Sequence, residues 1–138
     1  EIEARAEIHI ENYTTVLTIE AKTMADMIRH QILPAVSDYA DQLCQRAYHK
    51  DAMGVPHQYE TSTAMQIGTL TDALQADCAK LEAELAAIPV GSIKAMNYCH
   101  EVLIPDMAEA RKAADQLETL TASKSWPFPV YSDLLFYV

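Results

Sequence analysis

Five histidines, three cysteines and twenty acidic side chains could do chemistry in this chain, and their spacing decides whether they do. A metal site on a helix needs two ligands one turn apart, as in i, i+4 pairs or an HExxH motif. No two of His9, His30, His49, His57 and His100 stand at either spacing. Glu7, His9 and Glu11 alternate in direction around a helix, so they do not converge on one ion. Cys99 and His100 come closest to a nucleophile and its base. Adjacent residues on a helix diverge by about 100°, however, and cannot serve one another. His100 also falls on an apolar stripe, which predicts a core histidine hydrogen-bonded to a neighbouring helix. Asp38 with Asp41, and Glu82 with Glu84, read as solvated helix faces. Met24, Met27, Met65, Met96 and Met107 fit a packed core better than a cofactor box. Arg29, His30, Arg46 and Arg111 fall on different helical faces, and three glycines in 138 residues make no phosphate loop. The residues therefore assign no catalytic, cofactor-binding or metal-binding position.

The elements that would position these groups are helices. Residues 13–50 form a long apolar stripe in which Met24, Ile28, Ile32, Ala35, Tyr39, Leu43 and Ala47 recur every three or four positions. Pro34 interrupts it, removing one backbone donor and crowding the carbonyl of His30, which predicts a kink. The period runs backwards through Leu17, Tyr13, Ile10 or His9, Ala6 and Ile2. A rod over residues 3–51 follows, about 70 Å long at 1.5 Å per residue. It is longer than the helices after it, so residues 1–20 are expected to overhang.

Gly54 and Pro56 mark a connection. Thr63 and Gln66 have the form of a capping box, placing the second helix start there or within a turn. Ile67, Leu70, Leu74, Cys78, Leu81, Leu85 and Ile88 then make its buried face, and Pro89 and Gly91 stop it. Ser92 can cap a third helix with a seven-residue repeat: Ile93, Met96, His100, Leu103, Met107, Ala110, Ala114 and Leu117. Pro105 lies inside this repeat and frees the carbonyl of Glu101. With the first helix ending near Asp51 and the third near Ala122, the two prolines are expected at matching height, so that both rods bend together. The fold expected is all-α: an up-down-up antiparallel bundle of three long helices, two kinked by proline, with an extended aromatic C-terminal tail. Residues 1–138 make one helical domain. The tail, residues 123–138, holds Trp126, Phe128, Tyr131, Phe136 and Tyr137. Pro127 and Pro129 hold it extended, and Ser132 can cap a short turn through Leu135. Such a ribbon must lie in a groove or against another domain or subunit.

The formal charge of −10 disfavours nucleic acid, and no apolar run is long enough to span a membrane as a helix. Cys44, Cys78 and Cys99 are odd in number and widely spaced, which predicts buried free thiols in a reducing compartment.

Three stretches carry a family resemblance: RAEIHIENY from Arg5, TIEAKTMADMIRHQILPAVSDYADQL from Thr18, and WPFPVYSDLLFYV from Trp126. Together with VLIPDMAEARKAADQLETL from Val102, they resemble the C-terminal region of type III glutamine synthetases; Ser132 departs from an expected glycine. The resemblance implies a cytoplasmic ligase of nitrogen metabolism that makes glutamine from ammonia and glutamate. It implies ATP and divalent metal, Mg or Mn, in the parent, and an assembly of hexameric rings. The family's nucleotide, metal and glutamate motifs lie upstream of the matched region, so no site residue carries over. The implied role here is structural or assembly-related, with residues 2–19 and 126–137 expected to form the surface that docks on the catalytic part or a neighbouring subunit. This piece is expected to be inactive alone, without a cofactor of its own, and its partners are the parent's catalytic domain and neighbouring subunits. A chain opening on Glu1 is expected to be a fragment of something longer. The alternatives are a free-standing helical interaction or sensor module, which needs a groove with converging polar groups, and a small all-α enzyme.

Overall fold

The computed structural model describes residues 2–129, and every regular element among them is helical. The first rod comprises α1 (Ile2–Met27), a π-helical turn (Ile28–Ile32) and α2 (Leu33–Ala52). Helix α3 spans Gln58–Ala86. The third rod comprises α4 (Ser92–Tyr98), a second π turn (Cys99–Leu103) and α5 (Ile104–Leu120). Side-chain pairs fix how the rods meet. Lys50 reaches Glu60 across the first loop, while Arg29 pairs with Glu82 and the Cys78 thiol donates to the Ala25 carbonyl at 3.5 Å. Lys80 meets Asp106, and the Tyr98 hydroxyl donates to the Glu84 carbonyl at 2.9 Å.

Both interior prolines stand at the second residue of an α-helix that follows a π turn. The Leu33 amide donates to the Ile28 carbonyl and the Ile104 amide to the Cys99 carbonyl, each spanning five residues instead of four. This wide turn inserts one extra residue into the helix. It opens the ladder where the proline ring must sit, and the proline then falls in a first turn, where its missing N–H costs little.

The extra residue also rotates the buried face. From Leu103 onward the expected stripe holds, with Leu103, Ala110 and Leu117 fully buried. Upstream it is wrong by one position: Ala95 and Cys99 are buried, whereas Ile93 and His100 are exposed. An unbroken seven-residue repeat cannot pass through an inserted residue without losing phase by about 100°. In the first rod the expected Ile28, Ile32, Tyr39 and Leu43 are buried, and the one change is Val36 buried in place of Ala35, which is only half so.

Other expectations need correction. Helix α3 begins at Gln58, five residues before Thr63. Thr63 is instead buried on the helix face with Glu60 and Ile67. Ser92 starts α4 without capping it, because its hydroxyl turns to the Glu7 and Glu11 carboxylates at 3.3 Å. Cys44 is exposed, one position off the stripe that buries Leu43, while Cys78 and Cys99 are buried. The prolines are not at matching height. Ser92 with Glu7 or Glu11, and His100 with Tyr13, set the third rod 81 to 87 residues ahead of the first (92 − 11; 100 − 13). Pro34 and Pro105 differ by 71 (105 − 34), so they stand ten or more residues, roughly 15 Å, out of step. The third rod begins against the first turns of α1, which shifts it away from the end of α2.

The core of Ile28, Val36, Leu43, Ile67, Leu74, Leu81, Leu103 and Leu117 joins all three rods. Trp126 is buried at its end, and Phe128 is half-buried beside it. Tyr131, Ser132, Leu135, Phe136 and Tyr137 lie outside the described residues.

At the first loop, Glu60 is buried and accepts a hydrogen bond from Lys50 Nζ at 2.6 Å. That bond holds the Glu60 carboxyl below the ordinary carboxylate range. Its contribution to stability is therefore complete above the unfolded-state pKa and is lost as pH falls through the lower folded value. We expect Lys50→Met to flatten this acid limb of the unfolding profile, as read by circular dichroism.

Candidate functional surface

The residues weighed for chemistry are dispersed by the fold. Cys99 points into the core and His100 out of it, where its ring stacks on Tyr13 with centroids 5.4 Å apart. Burial pushes both the Cys78 and Cys99 thiols up, away from the reactive thiolate. His57 Nδ1 lies 3.0 Å from the Val55 carbonyl and serves its own loop. Arg29 is engaged by Glu82, and Arg111 Nε lies 3.9 Å from Asp115. His30 and Arg46 are exposed. Asp38 and Asp41 accept from Gln42 and Gln45 one turn on, as solvated helix faces do. Among the described residues no three His, Cys, Asp or Glu side chains are grouped to hold a metal.

Two features refine the reading of the sequence. The first is the environment of Glu84. Glu82 faces Arg29, whereas Glu84 is half-buried against the third rod beside Asp106. Two residues of separation on a helix point in nearly opposite directions, so the pair was never one acidic face.

The second is a second apolar seam on α1. No residue before Ala21 is buried among those described, yet Leu17 and Ile10 turn inward and are half-covered. Away from them, Ile8, Val16, Ile19 and Met27 are 56%, 54%, 58% and 37% exposed. Their separations of eight, three and eight residues place them within about 100° of arc on one helix face. Ile19 and Met27 also line a groove of about 430 Å³, shared with Met24, Ala114, Trp126 and Phe128. The Trp126 and Phe128 rings meet edge to face, 6.4 Å apart at 77°. The seam and the aromatic end of the described chain thus form one continuous surface. A contiguous apolar strip of this kind marks an interaction site more often than a monomer's free surface. The signal was present in the sequence: Ile8, Val16 and Ile19 sit on the face opposite Leu17 and Ala21.

A family model described as the glutamine synthetase C-terminal domain matches residues 1–51, a span that coincides with the first rod. Across 99% of its length the chain is 30% identical to a glutamine synthetase of Butyrivibrio fibrisolvens. It is 28% identical to the type-3 glutamine synthetase of Dictyostelium discoideum and 24% to a glutamine synthetase of Bacteroides fragilis. In each case it spans about a fifth (20%) of the relative's length. No solved structure matches.

Proposed function

From the premise that this chain is a glutamine synthetase C-terminal domain, we propose that it is the helical end piece of a glutamate–ammonia ligase. Its role is to hold the parent's assembly together. The parent uses ATP and a divalent metal, works in the cytoplasm and assembles as a homo-oligomer. The present residues contribute no group to its reaction and make no glutamine alone. The rods form an up-down-up bundle, bent at Pro34 and Pro105, a reading supported by the Lys50–Glu60, Lys80–Asp106 and Tyr13–His100 pairings.

The observation that carries this reading is the continuous surface from Ile8 through Ile19 and Met27 to Trp126 and Phe128. We assign it to contact with the catalytic part or a neighbouring subunit, with residues 1–20 and 123–138 as the two docking segments. Detached, this face should drive the 138-residue chain to self-associate. Sedimentation velocity tests the idea. The wild-type chain is expected as a dimer or larger species, and Ile8→Glu, Val16→Glu and Ile19→Glu together should give a monomer. All three positions are exposed, so the triple variant should keep its fold. In the full-length parent the same changes should release subunits. A wild-type chain that stays monomeric through the micromolar range, with a parent variant that assembles normally, would overturn the assignment.

A further inference from the structure

Helix α3 and the third rod meet at one polar cluster. Lys80 Nζ donates to Asp106 Oδ1 at 3.3 Å, and the Tyr98 hydroxyl is spent on the backbone carbonyl of Glu84. Glu84 Oε2 is buried and receives no hydrogen bond. A buried carboxylate oxygen left without a donor is costly, and ionised Asp106 beside it can only repel. Glu84 stands one turn after Lys80 on α3, so the Lys80 bond brings the Asp106 carboxylate beside Glu84, where a hydrogen bond between the two side chains would relieve the orphaned oxygen. Two ionised carboxylates cannot form that bond, because neither carries a hydrogen.

We propose that Glu84 and Asp106 share a single proton, the Glu84 carboxyl O–H donating to the Asp106 carboxylate, and that this proton clamps the last turns of α3 onto the third rod. The surroundings divide the labour between the two acids. Burial, the hydrogen bond to Asp106 and the Asp106 charge raise Glu84 to about 7, against the opposing charge of Lys80. Asp106 is held below its usual range by its bond with Glu84 and by Lys80. Asp77 on α3 and Glu109 on α5 add negative charge at the rim, and Asp77 is itself raised, by burial first and then by Glu109. Like charges in one cluster are relieved by keeping one of them neutral, the arrangement seen wherever paired carboxyls divide donor and acceptor roles.

The sign follows from linkage. Glu84 binds its proton more tightly folded than unfolded, so the clamp is fully present below about pH 4.5 and weakens as pH rises to about 7. Above that value the two carboxylates repel next to Pro105, where the wide turn already interrupts the helix. Across the window, one linked proton changes the folding equilibrium constant by up to about tenfold per pH unit.

Carbon-detected NMR titration of the Glu84 carboxyl in the 138-residue chain tests the proton directly. A midpoint near 7 is expected, moving down towards the ordinary glutamate value in Asp106→Asn. Urea unfolding of Glu84→Gln, whose amide can donate to Asp106 at any pH, should show a flatter profile between pH 4.5 and 7 than wild type. A wild-type midpoint near 4.5, or a profile parallel to that of Glu84→Gln, overturns the proposal. If the glutamine variant does not fold, the wild-type titration decides alone.

Discussion

Cys99→Asp destabilises the fold by roughly 3–5 kcal/mol, while the same change at the adjacent His100 costs no more than roughly 1 kcal/mol. Cys99 is fully buried in the core, and among the described residues no basic group is placed to neutralise a carboxylate there. His100 is exposed, and only its stacking on Tyr13 would be lost. Urea midpoints at neutral pH separate the two cases. The contrast is sharp because a uniform helical repeat traced back from Leu117 makes the opposite forecast: it buries His100 and exposes Cys99. Equal effects, or a larger one at His100, would mean that the helix runs through Pro105 without the inserted residue.

Leu103→Ala is the second large effect. Leu103 closes the π turn, is fully buried, and belongs to the core cluster that joins the three rods. Truncating a buried leucine costs about 2–5 kcal/mol through lost transfer energy and the cavity left behind. At roughly 3–5 °C per kcal/mol for a chain of this size, thermal unfolding should fall by roughly 6–25 °C. Ile93→Ala, ten residues earlier and 64% exposed, should move it by less than about 2 °C. A Leu103→Ala protein melting within a few degrees of wild type would show that the turn is not anchored through this side chain.

Why the helical fold could be read in advance, and its phase could not, is visible residue by residue. In α3 nothing interrupts the period, and Ile67, Leu74, Cys78 and Leu81 are buried where the spacing puts them. In the other two rods proline announced an interruption but not its form. A kinked α-helix keeps its count of residues per turn, whereas a π turn adds one, and composition does not distinguish them. The α3 start differs because Thr63 and Gln66 satisfy a local capping pattern, while buried Glu60, held by Lys50, lies in a helix that runs back to Gln58. The expectation that no reacting centre resides in this stretch came from spacing. Spacing also placed a docking region at residues 2–19 with the aromatic tail, and the structure adds which face of α1 is exposed there, Ile8 to Met27. Glu84 shows a further limit: only the third rod's position reveals which of two nearby acids loses its water.

The wide turns have one further implication, for anyone who would shorten, splice or transplant these rods. Each five-residue turn and the proline two positions after it form an indivisible cassette, Ile28 to Pro34 and Cys99 to Pro105. A junction that retains the proline but trims one residue of its turn would leave every upstream side chain facing the wrong neighbour. Grafts should therefore be cut in α1, α2 or α5, well away from either cassette.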